Sequence, residues 1–295
     1  MINYTDRITW LMRDLVQRVP GLGYIDLDRL LVFARYGNSN AGGPFATCHC
    51  LNLPPTEPGY YYWFDTRSGQ MTRRSPYFVT RSPSVTIAGR EIQYLISFAL
   101  PRFCDQAIEH SRKRVFHPAA PSWIAKLDTI VHELYHIDPQ HNGIRRVTRS
   151  DGTLAAGAHG SSFFPNVAAM VRQYLATADE AAYGFLRCDF AGLRARYGSV
   201  AGTTFRTFPS FPQRYIETLE SQPSAPSCGC IQPLPQRGTP THYTERDLIT
   251  REFLAEPAGP AARREAVRPS SIRPLRTQVV SAPLLAATAS DSPGR

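Results

Sequence analysis

Lysine is almost absent from this chain. Lys113 and Lys126 are the only two among 33 basic residues, and the rest are arginines. No block of five or more like charges occurs, and the densest run is the short Arg112-Lys113-Arg114. The net charge of +9 therefore reads as a solvated surface rather than a nucleic-acid patch. No apolar run approaches the ~18 residues that a membrane-spanning helix needs, so no span is expected. No basic stretch followed by an apolar one opens the chain, so no secretory leader is expected and a cytoplasmic location is. In a reducing compartment the six cysteines are expected as thiols, not as a disulfide framework. Cys-x2-Cys pairs are missing. Two Cys-x-Cys pairs are present instead, Cys48-His49-Cys50 and Cys228-Gly229-Cys230. Their four thiolates can close a tetrahedral zinc site only if the fold brings them together. Internal repeats are missing as well.

What is present is an ordinary globular composition. Hydrophobic residues make up 42% of 295 positions, enough for a real core and too many for a wholly disordered chain. Residues 1–220 read as one mixed domain. Residues 221–295 hold 11 of the 25 prolines and read as a Pro-rich tail, largely disordered from about 257. Ile8, Leu11, Met12, Leu15 and Val19 recur at helical spacing after a possible Thr5 cap, and Pro20-Gly21 stops that helix. Residues 30–36 predict a strand, with 47–53 as its pairing partner and Tyr60 to Phe64 as a buried aromatic strand. A hairpin is expected around 85–91. Its return strand, with Ile92, Tyr94, Ile96 and Phe98 on one side, ends at Pro101. Helices are then expected over 122–138, 161–177 and 179–195. Strands followed by helices predict an α+β fold: a small mixed or antiparallel sheet packed on an active-site helix and the helices after it.

The stretch that carries chemistry is His132-Glu133-Leu134-Tyr135-His136, a His-Glu-x-x-His motif. A four-residue step on an α-helix stacks His132 above His136, ~6 Å apart, so both imidazoles can reach one zinc ion. Glu133 is then adjacent to a ligand without being one, and can take a proton from a water beside the metal. Leu127, Ile130, Leu134 and Ile137 form an apolar stripe on the opposite side, Ser122 stands where a helix cap is expected, and Pro139 breaks the helix. With eight histidines and eleven glutamates in the chain, the pattern arises by chance somewhere with probability of roughly 0.01.

A catalytic zinc needs a third protein ligand. His159 is the first candidate, because half of the eight histidines lie between 132 and 159 and a turn at Arg149-Ser150-Asp151-Gly152 brings the chain back through a small hairpin over 144–156. Glu180, at the start of the next helix, is the rival. His141 is expected in a solvated turn, Tyr135 in packing, and Asp138 as a residue that orients an imidazole.

His132-Glu133-Leu134-Tyr135-His136 followed by His159-Gly160-x-x-Phe163 before a helix resembles the SprT-like zinc metallopeptidases and the related phage metallopeptidase domain, over residues of about 80–177. The resemblance implies a zincin-like fold, a Zn2+ cofactor held by His132, His136 and His159, a protein or peptide substrate, and Glu133 as general base of peptide hydrolysis. It also implies DNA association as an alternative, although residues 1–220 carry only about +6 and no nucleic-acid motif. A third reading is a non-catalytic, zinc-stabilised interaction protein. By analogy with zincins, strand 91–100 is expected to be the sheet edge that holds an extended substrate.

Overall fold

The structure is a computed structural model. It describes residues 1–39, 42–51, 82–140, 143–148, 158–209, 211 and 241–255, and the backbone of short strands at 61–64, 71–75, 214–215, 217–218 and 279–280. The fold is mixed α+β, with several small sheets and five α-helices among the described residues.

The chain opens with β1 (Ile2–Asn3) and α1 (Tyr4–Arg18). Ile8, Leu11, Met12 and Leu15 are all buried, as their spacing predicts. The cap differs from expectation. Asn3 Oδ1 accepts the Asp6 N–H, while Thr5 is buried inside the helix and its hydroxyl accepts from the Thr203 N–H at 2.8 Å. Thr5 is thus taken by a tertiary partner 198 residues away.

The sheet that positions the site has the order β2 (Leu30–Gly37), β8 (Tyr94–Pro101), β3 (Ala46–Cys50). Between β3 and β8 lie β4 (Tyr61–Phe64), β5 (Met71–Ser75), β6 (Ser84–Ile87) and β7 (Arg90–Glu91). β4 pairs antiparallel with β5, which confirms the aromatic strand; its burial lies outside the described residues. β2 runs parallel to β8, and β3 runs antiparallel to it. Two expectations are corrected. Segment 46–50 pairs with β8, not with β2. β8 is not an edge, since it is hydrogen-bonded on both sides and every residue in it is buried. The reason is a core on each face. Tyr94, Ile96, Phe98 and Leu100 pack with α1 and the later helices, while Leu95 packs on the other face with Phe33, Val85, Phe205 and Tyr243. The expected hairpin is β6–β7, turned by Ala88 (φ 49°) and Gly89 (φ 75°).

The helices after β8 are α2 (Ile124–Tyr135), α3 (Phe163–Leu175), α4 (Glu180–Tyr183) and α5 (Phe190–Tyr197). Ser122 does not cap α2; its hydroxyl donates to Glu109 at 2.6 Å. The helix expected over 179–195 is broken by a 3-10 turn at Gly184–Arg187 and restarts where Asp189 Oδ1 accepts the Gly192 N–H at 2.6 Å.

The folded body also runs past the expected boundary at 220. β9 (Val200–Phe205) is flanked by β1 and β13 (Leu248–Phe253), and β12 (His242–Thr244) lies parallel to β6. Tyr243 and Phe253 are buried, which anchors this return. β10 (Arg214–Tyr215) pairs with β14 (Val279–Val280), and β11 (Glu217–Thr218) pairs with β5. The rest of the tail expected to be disordered lies outside the described residues, as do Cys228, Cys230, His141 and most of the hairpin over 144–156.

The sheet holding β9 crosses β2 at close range. A Cβ on Gly202 would stand 2.9 Å from the Ala34 Cβ and 3.2 Å from the Thr5 Cγ2. Gly202→Val is therefore expected to lower the unfolding free energy by about 2 kcal/mol through overpacking. Urea denaturation measures it, and an unshifted midpoint would show that the two strands do not approach this closely.

Candidate metal centre

The site forms where α2 ends. His132 and Glu133 lie in its last turn and His136 is the C-cap, with its N–H bonded to the His132 carbonyl. Several groups fix this terminus. The Arg145 Nε donates to the Tyr135 carbonyl at 2.9 Å, and its guanidinium lies 4.1 Å from the Tyr135 ring centroid. The Arg145 N–H donates to the His136 carbonyl at 2.7 Å. The Tyr24 hydroxyl donates to the Ile137 carbonyl and accepts from Arg145. A cation and its N–H groups thus satisfy carbonyls that a helix end leaves open. Tyr135 packs as expected, its ring 5.0 Å from Phe163 and its hydroxyl accepting from Asn166.

His159 arrives just before α3, and its Nε2 lies 3.2 Å from that of His132 and 3.3 Å from that of His136. The His132 and His136 Nε2 atoms are 3.0 Å apart. Three imidazole nitrogens converge on one point, and they are the cluster of potential metal ligands among the described residues. Phe163 locks the arrangement: its ring centroid is 4.9, 5.0 and 4.5 Å from those of His132, His136 and His159. Glu180 stands apart, paired at the surface with Arg187 at 2.9 Å. Asp138 does not orient an imidazole. It accepts the Gln140 N–H at 2.8 Å, and among the described residues the Nδ1 atoms of His132 and His136 have no hydrogen-bond partner. Cys48 and Cys50 are buried thiols on β3.

Burial drives the His132 and His136 imidazolium forms well below their ordinary range, with neighbouring imidazoles and Lys113 adding to it. The rings are therefore neutral at physiological pH. Neutral Nε2 lone pairs this close repel one another unless a proton or a cation sits among them, so the cluster can hold a metal ion.

No protein-family model, curated protein or solved structure matches this chain.

Glu133 is 6% exposed, and burial pushes its carboxyl up to about 7. Lys113, the Cys48 backbone N–H and Arg35 pull the other way. The Leu51 N–H reaches back to the Gln93 carbonyl, so alternate residues of β3 point their N–H groups toward β8 and Cys48 points away, toward α2.

A supporting network went unread in the sequence. Asp128, four residues before His132, accepts from His117 Nε2 at 2.7 Å and faces the Lys113 Nζ at 2.7 Å. Lys113 also donates to Thr129, which donates to Gln106. The one available signal was that Asp128, His132 and His136 share a helix face at four-residue steps.

Replacing His132, His136 or His159 singly with alanine is expected to weaken divalent-metal binding by more than about 100-fold, exceeding the loss of an outer partner, while Glu180→Ala leaves it unchanged. Metal content after dialysis and calorimetric titration give the readout; equal retention in His159→Ala would remove that residue from the centre.

Burial alone would raise the Asp128 carboxyl, but Lys113 and His117 outweigh it and hold it below its ordinary 3.8. A depressed folded pKa means that the stability it contributes is complete above the unfolded value and is lost as pH falls through the folded one. Asp128→Asn should cost about 3 kcal/mol near neutrality, since it strands a largely buried cation. The gap from wild type should narrow below pH 3.8. Denaturant curves at the two pH values test this, and a pH-independent gap would contradict it.

Proposed function

We propose that this chain is a zinc-dependent peptidase with a zincin-like core. The observation that carries the reading is the convergence of the His132, His136 and His159 Nε2 atoms at the end of α2, with the buried Glu133 carboxyl next in sequence to His132. The donor set fits zinc. Tetrahedral zinc with bonds of about 2.0–2.1 Å places its nitrogens about 3.3–3.4 Å apart, and the three Nε2 separations are 3.0, 3.2 and 3.3 Å. Three protein ligands with no fourth among the described residues match an open catalytic site better than a closed structural one. β3, antiparallel to β8 and last in its sheet among the described residues, packs beside the helix of the motif, which supports the zincin-like reading.

Zinc bound there supplies a Lewis acid and makes a nearby water acidic near neutral pH. Glu133 does the proton work. Its carboxyl, raised by burial toward neutrality, takes a proton from the attacking water and returns it to the leaving amine nitrogen. The Cys48 N–H favours the ionised form of that carboxyl, and Phe163 keeps the three rings in one orientation. β8, hydrogen-bonded on both sides, cannot receive a substrate strand.

Glu133→Gln is expected to retain stoichiometric zinc and to lose peptide hydrolysis by about 10²–10⁴-fold. Zinc-loaded wild type should cleave an unfolded protein and stop when chelated. Failure of the loaded wild type to cleave any member of a diverse peptide library would overturn the assignment, as would undiminished turnover by the variant.

A further inference from the structure

A cleft of about 630 Å³ lies beside the three-histidine site, within the size range of sites that hold small ligands or substrate side chains. Its apolar wall is Phe45, Val115, Phe116 and Phe164. Phe116 and Phe164 lie parallel, with centroids 6.0 Å apart. The Phe164 ring continues directly to the site: its centroid is 5.1 Å from that of His159 and 5.7 Å from that of His132. Phe45 immediately precedes β3, the strand whose Cys48 N–H holds Glu133. Lys113, at the cleft wall, reaches the Asp128 carboxylate one turn before His132. The cleft is thus joined to the candidate metal centre on three sides, by Phe164, β3 and α2.

The wall is unusually bare for its chemistry. Val115 is 73% exposed, among the most exposed large apolar residues described. Arg102, Arg112 and Lys113 line the same cleft, and Arg102 lies over the Phe45 ring at 4.7 Å. Asp105 is the acid among the lining residues, and it is already engaged by the Ser39 hydroxyl and the Phe190 N–H. An apolar floor with a cationic rim selects a ligand that is apolar at one point and anionic next to it.

We propose that this cleft is the substrate subsite of the peptidase, receiving a large apolar side chain of the peptide while the arginine rim holds an adjacent carboxylate. The position in a cleavage reaction rests on the peptidase reading; the binding preference does not. Aromatic side chains fit best, because they can stack on Phe164 and Phe116 as those two rings stack on each other. The peptide class is therefore one with Phe, Tyr or Leu beside Asp or Glu, not a basic peptide.

The test uses the full-length Glu133→Gln protein loaded with zinc, so that binding is read without turnover. Four fluorescein-labelled peptides of one backbone carry Phe-Glu, Ala-Glu, Phe-Lys or Ala-Lys at the tested pair. Fluorescence anisotropy should show Phe-Glu at least about 10-fold tighter than either single change. Val115→Asp and Arg112→Glu, both at exposed positions, should each erase one part of the preference: Val115→Asp the Phe part, Arg112→Glu the Glu part. Equal affinity for all four peptides, no measurable binding, or a preference that survives both variants would overturn the subsite. The Phe-Glu preference in binding, accompanied by no hydrolysis from the zinc-loaded wild type, would leave the cleft standing and remove the peptidase reading instead. Hydrolysis that ignores the tested pair would do the reverse.

Discussion

Helix α2 is buried on almost every side, and it is not an apolar helix. Lys126, Asp128, Thr129 and Glu133 are all buried in it, beside Ile124, Leu127, Ile130, Val131 and Leu134. Each buried polar group needs a partner, since an unpaired one costs about 1–3 kcal/mol and an unpaired charge more. Much of the surrounding architecture supplies those partners. The Lys126 Nζ donates to the carbonyls of Cys104 and Cys188. Asp128 meets Lys113 and His117, Thr129 meets Gln106, and Glu133 meets the N–H of Cys48. The three imidazoles are left facing one another.

This distribution gives the shortage of lysine a structural sense. The chain has two lysines, and both are turned inward, Lys126 from α2 to two carbonyls and Lys113 against Asp128 of that helix. A compact ammonium can point at two carbonyls, or at a carboxylate and a hydroxyl, where the planar fork of arginine would need more room. Arginine meanwhile serves where a fork and a stacking face are useful, as at Arg145 across the end of α2 and Arg102 over Phe45.

The sheet acts on the site through β3. β8 is filled on both faces and both sides, so it is scaffold. β3, last in the order, keeps one row of backbone groups unused by β8 and turns the Cys48 N–H toward Glu133. A backbone donor on a strand held in register is more rigid than a side chain, which suits the placement of a group that must both hold and release a proton.

What the sequence settled was local. His132, Glu133 and His136 sit within one and a half turns of one helix, so the 3.6-residue period alone places them together. The burial of Ile8, Leu11, Met12 and Leu15 in α1 follows from the same period. His159 was legible through the clustering of histidines and the helix after it, although 23 residues separate it from His136. What only the tertiary structure decided was non-local. Strand order depends on which edges meet, so β3 beside β8, and β13 beside β9 past the Pro-rich stretch, left no trace in spacing. Thr5 and Ser122 carry side chains with several possible partners, and a partner brought near by folding won in both cases, whereas Asp138 took the N–H of Gln140, two residues on. The encounter of Lys113 and His117 with Asp128 belongs to the same class: pairing charges across a fold requires distances that the chain acquires only once it is packed.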